Sequence, residues 1–256
     1  MCVYGNRGTV LVLGRRIVMG KRQQDNLKLL EEEKKYAFGE AFDLVEKFKA
    51  PKFDETVNVA FRLGIDPRQA DQQVRGATLL PNGTGKKVKI LVFAKGDKAK
   101  EAEEAGADYV GGDEFIEKIQ KESWMDFDKV IASPDMMAVV SKVARVLGPR
   151  GLMPNPKTGT VTPNLAKAIE QERKGKIEFR AEKSGIVHAV IGKKSFGATR
   201  LKENFLALLE ALLKLKPSTS KGAYIRSATV APAMSPGVSL DAAQLSSGAV
   251  LREEGN

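Results

Sequence analysis

The chain holds one cysteine and one histidine among 256 residues. One thiol closes no disulfide within the chain, and the two residues together cannot supply a Cys/His zinc site or an iron–sulfur cluster. A Cys–His or Ser–His–Asp catalyst would have to use His188, which stands in an apolar strand-like stretch and reads first as structural. Cys2 lies at the N-terminal end and reads as inert; a lone thiol fits a reducing compartment. Long apolar runs are also missing, and nothing approaches the ~18 residues of a membrane-spanning helix. The early run Val10–Leu13 is too short for a secretory h-region of about 7–15 residues. Acids are absent before Asp25, while Arg7, Arg15 and Arg16 are present. Two readings of residues 1–18 stay open: an upstream mis-start with Met19 as the natural first residue, or a short organellar transit peptide.

What is present is positive charge. The formal net charge is +10, from 42 Lys+Arg and 32 Asp+Glu. It is unevenly spread: Asp97–Asp128 holds eleven acids and four bases, and Arg173–Lys202 holds nine bases and two acids. Segregated charge points to a polyanionic partner for one part of the molecule and a solvated remainder.

The hydrophobic content of 42% supports a real core, and the length allows one large domain or two ordinary ones. Apolar residues at 38, 41, 42, 45 and 48 mark one helix face. ETVNVAFRL then alternates, with Val57, Val59, Phe61 and Leu63 inward and Thr56, Asn58 and Arg62 outward, a half-buried strand. A short strand at 77–80 precedes the turn-rich PNGTGK. From residue 88 strands and helices alternate: strands at 88–94, 108–110 and 129–132, and helices to Ala105, over 113–120 and over 135–147. Gly148 is expected as a left-handed helix stop, and Thr162-Pro163 as the N-cap and first turn of a helix to about Lys174. Such alternation predicts a small, mostly parallel Rossmann-like sheet. After Gly175 the pattern reverts to hairpins: KIEFR and IVHAVI flank the turn KSG, followed by a helix with Leu201, Phe205, Leu208, Leu212 and Leu215, then the strand AYIRSATV.

The expected fold class is therefore α/β (α+β) with two domains. A discontinuous α+β domain comprises residues 19–82 and 176–240, and a Rossmann-like domain is inserted at 83–175. Glycine at both crossings, near 83–85 and 174–176, suggests a hinge. Residues 241–256 read as a flexible tail.

An α/β insert invites a nucleotide-binding enzyme as the alternative. GTGKK at 83–87 fails as a P-loop, lacking the hydroxyl residue after the lysine and the distant first glycine. No G-x-G-x-x-G opens a helix after the first strand of the insert. RVLGPRGLMPNPKTGTVT, residues 145–162, holds three prolines, three glycines, Arg145, Arg150 and Lys157, and no acid. It has no Ser or Cys beside a base and no carboxylate to relay a proton. A proline-stiffened basic loop loses little entropy on docking, which suits a permanent contact with RNA better than a moving lid.

That loop, together with KFDETVNV (52–59), LGIDPRQADQQVRG (63–76), AKGDKAKEAEEAGADYVGG (94–112), WMDFDKVIASPDMM (124–137) and GKIEFRAEKSGIVHAVIGKKSF (175–196), resembles the bacterial L-one family of large-subunit ribosomal proteins, the proteins of the mobile ribosomal stalk. The likeness runs from about Gly20 to Leu240. It implies an RNA-binding domain made from both chain ends, an inserted Rossmann-like domain on a hinge, and neither catalysis nor cofactor. It further implies binding to the stalk of large-subunit ribosomal RNA, a part in exit-site tRNA release, and repression of the protein's own operon through its mRNA. The setting is the cytoplasmic ribosome, or an organelle if residues 1–18 are a transit peptide, with no membrane partner.

The resemblance carries RNA contacts onto Lys52, Phe53, Thr56, Ser227 and Met234. Phe53 is open between a core plug and an exposed ring against ribose or base. Lys193, Lys194 and Ser195 join the candidates as a basic turn, with a merely solvated turn as the other reading. Where the family has Thr-Met-Gly-Pro this chain has Ala233-Met234-Ser235-Pro236, and Asn58 stands where glutamate is usual. The missing threonine hydroxyl removes one bond, and a serine for glycine is expected to obstruct close backbone approach.

Overall fold

The computed structural model describes residues 20–31, 34–122, 124–220 and 222–246. It also gives the backbone of three N-terminal strands, β1 (Val3–Gly5), β2 (Thr9–Val12) and β3 (Arg15–Val18), which pair antiparallel in sequence order. The remainder of 1–19, and with it the choice between mis-start and transit peptide, lies outside the described residues, as do residues 247–256. The elements that follow are α1 (Lys21–Leu27), α2 (Phe38–Lys47), β4 (Thr56–Leu63), β5 (Arg75–Leu79), β6 (Ile90–Phe93), α3 (Asp97–Glu104), β7 (Tyr109–Gly111), α4 (Asp113–Glu122), β8 (Lys129–Ala132), α5 (Met137–Val140), α6 (Ala144–Leu147), α7 (Leu165–Arg173), β9 (Lys176–Arg180), β10 (Ile186–Lys193), α8 (Gly197–Lys214), β11 (Ile225–Pro232), β12 (Val238–Leu240) and α9 (Ala242–Ser246). The class is mixed α/β. Two compact units result: the chain up to Val74 together with the chain from Ala181 onward, and Arg75–Arg180.

In the first unit an antiparallel sheet has the order β10-β4-β11-β12. Along β4 the alternation works as expected: Val57, Val59, Phe61 and Leu63 are buried while Asn58 and Arg62 are exposed. The buried face packs against α2 and α8. Phe205 of α8 is the hub, with its ring 5.2 Å from Phe38, 5.6 Å from Phe42 and 5.3 Å from Phe61. Leu201, Phe205, Leu208 and Leu212 are buried as their spacing predicts, but Leu215 lies past the end of the helix and is exposed.

Tyr224 enters β11 from this core, and its buried hydroxyl donates to the Leu212 carbonyl at 3.1 Å. Burial pushes that hydroxyl up to about 12. In the unfolded chain it ionises near pH ~10, so between those values the unfolded state releases the proton first. Its contribution to stability is full below about pH 10 and is lost as pH rises towards about 12. Tyr224→Phe should flatten this part of an alkaline denaturation curve followed by near-UV circular dichroism. A curve with unchanged slope would exclude Tyr224 as the group responsible.

The second unit is a parallel sheet in the order β7-β6-β8, with the middle position taken by its first strand, as in doubly wound folds. All four residues of β6 are buried: Leu91 and Phe93 join a core with Ile116, Ile119 and Met136, while Ile90 and Val92 join one with Ala102, Leu165 and Ile169. A strand covered on both faces reads as an unbroken apolar run, which is why VKILVFA lacks alternation. An additional antiparallel ladder, β5 with β9, belongs to this unit.

Several expectations change. KIEFR and IVHAVI do not form a hairpin ladder: β9 pairs with β5 and β10 pairs with β4, leaving a single bridge between Ala181 and Val187. The helix expected over 135–147 is broken into α5 and α6 by a 3-10 turn at Ser141–Val143, where the Ser141 hydroxyl donates back to the Met137 carbonyl at 2.8 Å. Gly148 is right-handed (φ −58°) rather than left-handed; a Cβ there would meet the Ala144 carbonyl oxygen at 2.7 Å, so space is what requires glycine. The N-cap of α7 is Asn164, whose side chain accepts from the Lys167 amide at 3.1 Å, not Thr162. Gly83 and Gly175 lie inside the second unit, and a Cβ on Gly175 would stand 2.5 Å from the Gly83 Cα, so these glycines permit close backbone approach. Of the tail expected to be flexible, Ala242–Ser246 form α9, with Leu245 buried and the Asp241 amide donating to the Tyr36 carbonyl, while 247–256 lie outside the described residues.

Candidate nucleic-acid interface

The outward side of the four-stranded sheet is polar and open. Asn58 and Arg62 of β4, His188 and Val190 of β10, Ser227 of β11 and Ser239 of β12 are all exposed. Register sets Ser227 opposite Arg62, and Thr229 between Ala60 and Ser239. Small hydroxyls, an amide and one guanidinium on a rigid ladder can meet a ribose-phosphate backbone closely without a cavity.

At the N-terminal end of β4 three segments distant in sequence meet: 52–56, the turn 193–196 and the turn 233–236. The Ala233 amide donates to the Thr56 carbonyl at 2.9 Å, and the Lys194 amide to the Glu55 carbonyl at 2.8 Å. Asp54 accepts from the Ser195 amide at 3.1 Å and from its hydroxyl at 2.6 Å. The Glu55 side chain is fully buried and accepts from the Ser235 hydroxyl at 3.1 and 3.3 Å, with the Arg22 guanidinium of α1 at 4.0 Å. Arg22 also donates to the Met234 carbonyl at 3.1 Å. Helix α1 is itself clamped by Asn26, whose side chain accepts from the Lys49 amide at 2.8 Å and donates to its carbonyl at 3.3 Å.

Most of the residues singled out in the sequence gather here. Lys52 is exposed, and Phe53 stands 56% exposed, so the open question about Phe53 resolves against a core plug. Met234, at 53% exposed, projects from the 233–236 turn. Thr56 is half-buried opposite Lys193. Lys52 and Lys193 have no ion-pair partner among the described residues. Lys194 differs: its ammonium donates to the Phe48 carbonyl, and burial pushes it below the usual lysine range against the pull of Glu55. It fastens the turn. Ser195 is likewise engaged with Asp54. Ser227 lies six positions along β4 from Thr56, roughly 20 Å away at ~3.3 Å per residue. It belongs to the open face rather than to the cluster.

The sequence reading missed Arg22, Asp54 and Glu55. A signal for Glu55 was present: the inward phase of Val57 and Val59, carried back two residues, lands on it.

Residues 45–236 match the ribosomal protein L1p/L10e family. The match covers three quarters of the chain. The chain belongs to that family.

As a member of the ribosomal protein L1p/L10e family it is a structural, RNA-binding constituent of the large ribosomal subunit. The matched span contains all eight candidate contact residues. The hydroxyl of Ser235, at the position where the family pattern has glycine, turns inward to Glu55. The Ala233 amide donates to the Thr56 carbonyl, and Asn58 lies on the open face.

The second unit carries a basic region of its own. No acid occurs from 136 to 169, and Lys142, Arg145, Arg150, Lys157 and Lys167 are exposed without an ion-pair partner among the described residues. In the acidic part of the same unit Lys86, Lys89, Lys95 and Lys98 are each paired with an aspartate. The proline-rich loop is stiff: Asn155, Thr158 and Thr160 bond one another at 2.8–3.2 Å, and Val161 bridges to Ala132 beside β8. Among the described residues no helix is long and apolar enough to cross a membrane.

Proposed function

We propose that the unit built from both chain ends binds the stalk region of large-subunit ribosomal RNA through the surface at the N-terminal end of β4 and the adjoining open sheet face. The observation that carries this is the convergence of two exposed apolar side chains, Phe53 and Met234, with two cations that have no ion-pair partner among the described residues, Lys52 and Lys193, on segments locked by backbone hydrogen bonds. Rings and thioethers give stacking surface, ammonium groups give phosphate attraction, and Thr56 and Ser227 offer hydroxyls to ribose. Lys194 and Ser195 act here by holding the turn. The same surface binds the protein's own operon mRNA, which presents a like structure, and so represses translation. The unpaired cations of the insert support contact with a further RNA, the exit-site tRNA, and a part in its release. The insert performs no nucleotide chemistry, and the setting is the cytoplasmic ribosome.

The full-length protein, titrated at several salt concentrations, tests this. Stalk-region ribosomal RNA should bind saturably, on the order of 10³-fold tighter than duplex DNA at matched salt. Affinity should fall as salt rises, and ATP and GTP should show no saturable heat. Equal affinity for RNA and duplex DNA, or stoichiometric nucleotide binding, would overturn the assignment.

A further inference from the structure

A fully buried carboxylate is an expensive core residue, since an apolar side chain would fill the space without desolvating a charge. Glu55 is such a residue: its side chain is fully buried, so no partner reaches it directly. It sits one residue before Thr56 and two after Phe53. Its main-chain carbonyl holds Lys194, and its side chain holds Ser235 and faces Arg22. Ser235 directly follows Met234, and Arg22 binds the Met234 carbonyl. One group therefore ties together the segments carrying Phe53 and Met234, which are 181 positions apart in the chain.

We propose that Glu55 is the positioning residue of the RNA surface, and that Ser235 is its specific partner in this chain. Glu55 does not touch the RNA. It fixes the spacing and tilt of the exposed Phe53 and Met234 side chains, so that both engage one RNA segment without first being ordered. Preorganisation of this kind raises affinity by removing an ordering cost, not by adding a contact. The hydroxyl of Ser235 supplies the hydrogen-bond donor that a glycine lacks. Substituting either residue should loosen the pair while leaving the charges that meet phosphate untouched.

This inference rests on the RNA-binding reading above, and the test separates the two. Affinity for stalk-region ribosomal RNA and its salt dependence are measured for the wild type, Glu55→Gln, Ser235→Ala, Phe53→Ala and the Glu55→Gln/Phe53→Ala double variant, each with its thermal midpoint. Ser235→Ala alters only a turn side chain and keeps the fold available if Glu55→Gln destabilises it. Glu55→Gln should weaken binding roughly tenfold and Ser235→Ala by a lesser factor, with the slope of log affinity against log salt unchanged. In the Phe53→Ala background the loss from Glu55→Gln should largely disappear, because the ring it positions is gone. Full additivity of the two substitutions, or unchanged affinity in both Glu55→Gln and Ser235→Ala, would overturn the positioning role. A wild-type protein that does not prefer this RNA would instead sink the RNA-binding reading itself.

Discussion

Phe53→Ala weakens binding to stalk-region ribosomal RNA by about 1–3 kcal/mol and leaves the thermal midpoint essentially unchanged. The ring stands 56% exposed, ahead of the first residue of β4 rather than in its buried face. Truncating it removes little folded-state packing, so stability has little to lose, whereas a stacked base loses its whole platform. Filter binding or calorimetry at fixed salt gives the first number and a thermal melt the second. A large drop in the melting temperature with no separate loss of affinity would mean the ring packs in the folded protein and does not serve RNA. Phe53→Tyr keeps an aromatic face and should retain most of the affinity.

Phe205→Ala has the opposite profile and the larger effect. Its side chain is fully buried, touches Phe38, Phe42 and Phe61, and holds α2, α8 and β4 together. Removing it forfeits transfer energy and leaves a cavity that three rings cannot refill, a loss of about 3–5 kcal/mol. Urea unfolding should show the midpoint falling by a corresponding amount. Under conditions where the variant is still folded, RNA affinity should remain close to wild type, because the ring lies on the side of the sheet away from the candidate interface. A change below ~1 kcal/mol would mean that the aromatic cluster repacks around the gap.

The Phe205 prediction depends on which side of β4 is buried, and that much was legible in the sequence. Alternation in TVNVAFRL fixes the buried set, and the unbroken run ILVF announces a strand covered on both faces. Short-range capping was less readable: Thr162-Pro163 satisfies the rules for a helix start, yet the capping hydrogen bond from the Lys167 amide goes to Asn164. Phe53 itself was undecided, because an aromatic just before a strand fits either a core or a surface.

Lys194 marks the limit. Three residues in the order Lys193-Lys194-Ser195 look alike as a basic turn, yet Lys193 has no ion-pair partner among the described residues while Lys194 is drawn in to the Phe48 carbonyl and Ser195 is held by Asp54. The partners lie 141 to 146 positions away. No local pattern encodes such a distance.

By itself the sequence determined the mixed α/β class, the inward and outward sides of β4, the segregation of charge and the stiff basic loop, since each follows from periodicity or composition within a few residues. The tertiary structure alone decided that β9 joins β5 instead of β10, and that Glu55, Ser235 and Arg22 meet around Met234. Strand pairing and side-chain convergence depend on which distant segments compete for the same edge, and on a buried carboxylate finding its donors across as many as 180 positions. Those contacts are set by the packing of the whole unit, which no short window of residues contains.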